Sequence, residues 1–121
     1  MNEQTEKNRT GDFLLSEGNG SYSRENIIVA GGQNLEAGTL LGTVTASGEV
    51  VALNVAADDG SEVASGILWA STNASDADTA AVAITRTAEV KADALIWPAG
   101  ITGPQKIAAI AQLSELGVVL R

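Results

Sequence analysis

A chain of 121 residues has room for one domain, and seven Lys and Arg against fifteen Asp and Glu give it a net charge of −8. That balance repels nucleic-acid phosphates and anionic membrane surfaces alike. With no Cys and no His, it lacks disulfides, thiol nucleophiles, thiolate and imidazole metal ligands, and the commonest general base.

Residues 1–25 carry five acids and three bases among Asn, Ser, Thr and Gly, and show almost no apolar periodicity. Such a segment cannot bury enough surface to offset its ordering entropy, so it reads as a flexible N-terminal arm preceding a compact domain at 26–121. The exception is Phe13-Leu14-Leu15, with Tyr22 following. This run either folds back onto its own domain or docks on a partner. The surrounding polarity favours the partner, and an extended arm would place Phe13 and Leu15 on one face. No apolar stretch resembles a signal peptide or reaches the roughly 18 residues of a membrane span, so a soluble protein made in the cytoplasm is expected.

From Ile27 the texture becomes that of a lean β domain. Twenty of the chain's apolar residues are Ala and only four are aromatic, which leaves Val, Leu and Ile to build the core. Ile27-Ile28-Val29-Ala30 predicts a strand ended by Gly31-Gly32, and 34–38 predicts a turn into a second strand at 39–42. A Ser47-Gly48 turn between 43–46 and 49–53 predicts a hairpin that sets Val44 opposite Val51. Further strands are expected at 66–70 and 81–86, separated by a polar loop at 71–78, with 88–91 continuing the same sheet. Short strands at about ten-residue spacing indicate a small sandwich or partly closed barrel.

One helix is expected near 103–116. Thr102 is its N-cap, Pro104 lies in the first turn, and Gln105 stands three residues after the cap. Ile107, Ile110, Ala111, Leu113 and Leu116 supply a broad apolar face, and Gly117 ends the helix. Val118-Val119-Leu120 then predicts a terminal strand tied into the core.

Chemistry finds little foothold. Asp58, Asp59 and Glu62 cluster in one loop and Asp76 and Asp78 in another, but neither has the spacing of a calcium loop, and solvated acids are the simpler reading. No nucleophile elbow, Ser-x-x-Lys pair or zinc-binding helix is present, so no catalytic residue, metal or cofactor is expected. Trp69 lies in an apolar strand and reads as core. Trp97-Pro98 makes a rigid corner between sheet and helix, where Trp97 either locks the corner or meets a neighbouring subunit.

Asp12-Phe13-Leu14-Leu15-Ser16-Glu17 followed by Ser23-Arg24-Glu25-Asn26 resembles the start of bacteriophage head decoration proteins of the lambda protein D type. The segments 34–42, 66–68, 88–90 and 95–102 with the following helix continue the resemblance in order, from about Asp12 to Arg121. The resemblance implies a mainly β, β-clip-like domain with one C-terminal helix and an N-terminal arm that orders on the capsid. It implies a homotrimer on the outer surface of the expanded virion head, bound to the major capsid protein at three-fold and quasi-three-fold positions. There it would act as cement against the pressure of packaged DNA, without enzymatic activity. Phe13, Leu14, Leu15 and Tyr22 are then the candidate capsid-binding residues, and Trp97 and Pro98 the candidate trimer or corner contact. A tail or fibre component and a small-ligand-binding β-clip domain are the alternatives.

Overall fold

Leu40-Leu41, Ile67-Leu68 and Ala83-Ile84 are neighbours along the chain, and all six side chains are buried. Successive residues of a strand face opposite sides, so these strands must be covered on both faces. The computed structural model, which describes residues 13–17 and 23–121, supplies the two covers.

In chain order the elements are β1 (Leu14–Glu17), β2 (Arg24–Val29), β3 (Gln33–Leu35), β4 (Leu40–Thr43), β5 (Val50–Ala52) and β6 (Ala64–Leu68). Then come β7 (Thr72–Ala74), β8 (Thr79–Ile84), β9 (Ala88–Val90), a short 3-10 turn (Ala92–Ala94), α1 (Gly103–Glu115) and β10 (Val118–Leu120). Strands β2, β5, β4, β6 and β8 close, in that order, into a barrel. Strands β1, β9 and β10 form a second sheet with β9 in the middle, and β3 pairs with β7 as a small ribbon. Among the described residues the protein is thus mainly β with one C-terminal helix, as the sequence predicts.

Two cores follow from this arrangement. Val29, Val50, Leu41, Leu68 and Ala83, one from each barrel strand, cluster together and fill the barrel. Five strands enclose too narrow a space for aromatic rings, so Val, Leu and Ala suffice. The opposite faces of three of these strands present Leu40, Ile67 and Ile84 to the second core. There they meet Val90 and Val118 of the second sheet, Leu113 of α1, and Phe13.

Several elements differ from expectation. The hairpin connection is the four-residue stretch 45–48, with Val44 N–H donating to the Glu49 carbonyl at 2.9 Å. Val51 therefore lies opposite Gly42 instead of Val44. A two-residue Ser47-Gly48 turn would require the primed geometry, whereas a longer loop with only Gly48 left-handed (φ 74°) satisfies the twist. The polar stretch 71–78 contains β7, and the strand expected at 66–70 runs from 64 to 68. Ala88–Val90 leaves the barrel and becomes the centre of the second sheet.

The strands β1 and β2 both begin before residue 26, within the stretch read as an arm. Loop 58–62 crosses β4 so closely that a Cβ on Gly42 would sit 2.3 Å from the Ser61 carbonyl oxygen. Only glycine fits there. Asp59 folds this loop by accepting from the Ser61 N–H and hydroxyl, which hold its carboxyl below the usual range. Glu62 accepts from Gly60 N–H at 2.8 Å.

Helix α1 starts where the sequence places it. The Thr102 hydroxyl accepts from Gln105 N–H, and the Gln105 side chain accepts from Thr102 N–H, a complete capping box. Gly117, at φ 88°, ends the helix and allows β10 to return parallel to β9. The apolar face is a correction. Leu113 and Ala109 reach the core, but Ile107, Ile110 and Leu116 are exposed at 69, 37 and 40%. At about 100° per residue, Ile107 lies roughly 200° around the helix from Ala109, on the far side from the core.

Candidate functional site

The candidate arm residues separate once folded. Phe13 is fully buried and sets its ring edge-on to Trp69, with centroids 6.4 Å apart and an interplanar angle of 81°. Its carbonyl accepts from Lys91 N–H at 2.7 Å, which fixes the backbone just before β1. Leu14 packs partly against the larger core, whereas Leu15 is half exposed. Tyr22 lies outside the described residues.

The expectation that Phe13 and Leu15 share a face is therefore corrected. Leu14 pairs with Val90 and Ser16 with Glu89, so the register shifts and Leu15 is the extra residue of a bulge. A bulge turns one side chain out of the two-residue alternation. Phe13 serves the protein's own core, and Leu15 is the member of the run offered to solvent.

Several contacts tie β1 to the body. Arg24 forms a forked pair with Glu17, at 2.7 and 3.2 Å, across the segment joining β1 to β2. The same guanidinium lies 4.0 Å from the Trp69 ring centroid. Phe13, Trp69, Arg24 and Glu17 thus make one continuous clamp. Such cation–π stacking and bidentate pairing suit Arg and would be lost with Lys.

On the solvent side of the second sheet, Glu89 accepts from both Ser16 and Arg121, at 3.0 and 2.7 Å. This cross-strand bridge joins all three strands. The Arg121 hydrogen bond, helped by Ser16, holds the Glu89 carboxyl below its usual range. Nearby Val119 is 38% exposed. The second sheet has β1 at one edge, so the outer backbone edge of β1 has no neighbouring strand among the described residues.

Trp97 is half-buried against the larger core, and the Lys106 ammonium lies 4.7 Å from its ring centroid. Ile96 N–H donates to Gly38 and its carbonyl accepts from Leu40 N–H, which fastens this corner to β4. Trp97 and Pro98 line one side of an open apolar groove of about 360 Å³, with Leu35, Leu53 and Ile96 also on its walls.

The acidic loops gather no metal-ligand set among the described residues. Asp78 accepts from Gly31 N–H, and its hydrogen bond with Glu49 pushes the Glu49 carboxyl up and holds Asp78 down. These acids hold turns together. No buried side-chain nitrogen or oxygen among the described residues lacks a hydrogen-bond partner.

Sequence reasoning passed over Arg24 and Glu89, whose roles depend on strands distant in the chain. It also passed over the outward face of α1, where the signal was legible. The apolar residues of 103–116 span more of the helix than one core-facing stripe can use.

No curated protein matches the sequence. The model of the family described as bacteriophage lambda head decoration protein D matches residues 3–118, which covers both cores, the β1 clamp and the whole of α1. The chain belongs to the bacteriophage lambda head decoration protein D family.

Proposed function

We propose that this protein decorates the outer surface of the expanded phage head. In this reading it binds the major capsid protein as a homotrimer at three-fold and quasi-three-fold positions and holds the shell against packaged DNA. The observation that carries the reading is the family match across residues 3–118. The contact is assigned to the open edge of β1, with Leu15 as its apolar anchor.

Physical chemistry supports that assignment in two ways. A free strand edge offers backbone donors and acceptors to an extended segment of a partner, and a half-exposed Leu adds apolar area. One such contact is weak, but three on a trimer act together and can raise avidity by about 10²–10⁴. Cement must also discriminate between head states, because a ligand stabilises only the state for which it has the higher affinity.

The test mixes purified protein with expanded and unexpanded heads and measures what sediments. Binding to the expanded heads alone is expected. Equal binding to both forms defeats the cement mechanism, and binding only to tails assigns the protein elsewhere in the virion. Removing residues 1–25 is a poor probe, because it deletes β1 and takes Phe13 from the core. Leu15→Asp is the sharper one: it should weaken head binding at least about tenfold while leaving thermal unfolding within a few degrees of the wild type.

A further inference from the structure

The barrel is closed unevenly. Strands β2 and β8 pair at six positions, but β2 and β5 meet at only one, Val29 against Val50. On the N-terminal side of that pair the edge of β2 is bare. Trp69 N–H donates to the Val82 carbonyl, so Val82 turns its backbone groups towards β6. Asn26 stands opposite Val82, and its backbone groups therefore point away from β8, as does the Ile28 N–H two residues on. Among the described residues no strand pairs with them. They face an open groove of about 370 Å³ between β2 and the β4–β5 hairpin, with Ile27, Thr43, Gly48 and Val50 also on its walls.

We propose that this seam takes an extended, basic segment of another protein as an added strand, with a Lys or Arg side chain set between Glu49 and Asp78. The backbone gives the first half of that assignment. Donors and acceptors repeated at every second residue of a strand edge are matched by another extended chain. Charge gives the second half. The parallel register puts Glu49 level with Ile28, at one end of the groove, where its carboxyl meets that of Asp78. Asp78 accepts from Gly31 N–H, but no cation pairs with either acid among the described residues. At the other end Glu25 already has Arg86, at 3.7 Å. The unmet charge is at the Glu49 end.

The side chains follow the strand alternation. Val29 and Val50 fill the barrel, so their neighbours Ile28 and Glu49 face outwards. An added strand would carry its basic residues on that outer side, their stems across the exposed Ile28, and small apolar residues inwards beside Ile27. A second copy fits poorly, because its own β2 edge would bring Glu25 and Glu49 against these acids, in a chain of net charge −8. The seam lies in the barrel and not in the sheet of β1, so its partner is recognised independently of head decoration.

The probe is a capped hexapeptide of alternating Lys and Val, titrated at low salt into the isotope-labelled full chain. The amide signals of Asn26 and Ile28 should shift saturably, and their hydrogen exchange should slow. A fully N-methylated copy keeps the charge but has no backbone donors, and it should not bind. A peptide of alternating Glu and Val should not bind either. Glu49→Gln combined with Asp78→Asn should weaken the Lys-Val peptide about fivefold, with the melting temperature within a few degrees of the wild type. The inference is overturned by the lack of a saturable shift, by equal binding of the N-methylated copy, or by indifference to the double substitution. It also falls if the shifts are confined to 14–17, which would give the peptide to the edge of β1.

Discussion

The barrel and the layer packed against it solve the same problem with different materials. The barrel filling is Val29, Leu41, Val50, Leu68, Ala74 and Ala83, with no aromatic side chain and no charge. The adjoining layer contains Phe13, the capped helix, the Trp69–Arg24–Glu17 clamp and the Glu89 bridge. A narrow lumen excludes bulky groups, so every large or charged side chain with a structural task is displaced outwards. The inside of the barrel is therefore bland, while its outer surface still presents Ile28 of β2, which is 45% exposed.

If that division is right, the largest single loss comes from the outer layer. Phe13→Ala leaves a cavity where β1, the barrel wall and Trp69 meet, and buried Phe→Ala changes cost about 3–5 kcal/mol. At roughly 4 °C per kcal/mol for a domain of this size, the melting temperature should fall by more than about 10 °C. Leu15→Ala, two residues away, should change it by less than about 2 °C. A Phe13 variant that melts like the wild type would return the segment to the status of a free arm.

The barrel should fail by a different route, through crowding instead of cavities. Gly42→Ala drives a methyl into the Ser61 backbone, where loop 58–62 has no flexible end to yield. Overpacking of this kind costs about 1–3 kcal/mol. Chemical denaturation should show the loss, and Gly48→Ala, which meets nothing within 4 Å and pays only for its left-handed backbone at φ 74°, should cost less. Equal losses at the two glycines would mean that the crossing loop yields to the added methyl at Gly42.

The same contrast governs what the sequence makes legible. Helix α1 is readable to the residue because its signals are local: Thr102, Pro104, Gln105 and Gly117 act within a turn of where they stand. The strands are readable as elements, since Leu40-Leu41 and Ile67-Leu68 are apolar whichever way they face. Their partners are not. Nothing near Ala88 says that it leaves the barrel to pair with β1 and β10, because register and sheet membership are set by strands far along the chain in both directions. The candidate site suffers most from this. Phe13 looks identical as a docking anchor and as a core residue until the pocket around Trp69 exists, and the bulge that exposes Leu15 is created by pairing with β9.

A smaller effect should sharpen the comparison at the helix. Thr102→Ala removes one half of the capping box and should cost about 1 kcal/mol. Thr102→Ser, which keeps the hydroxyl, should recover most of it. Hydrogen exchange at the first turn of α1 should rise with the Ala variant, while the barrel strands keep their protection relative to the global stability.

The smallest expected effect is also the most specific to pH. Glu89 bridges β1 and the C-terminus through Ser16 and Arg121, and these hydrogen bonds favour its charged form, so its carboxyl titrates below the ordinary 4.5. A carboxyl held down in the folded state contributes stability that is fully present above the unfolded value and is lost as pH falls through the folded one. The wild type should therefore lose stability on acidification below about pH 4.5 more steeply than Glu89→Gln, which has no charge to lose. The bridge is exposed, as surface pairs are, and the difference at neutral pH should be small. Exchange at β1 and β10 amides is the sensitive measurement, since those two strands hold Ser16 and adjoin Arg121. If both proteins follow the same acid profile, the Glu89 bridge does not hold the second sheet together. The attachment of β1 then rests on its backbone pairing with β9, on Phe13 and on the Arg24–Glu17 pair.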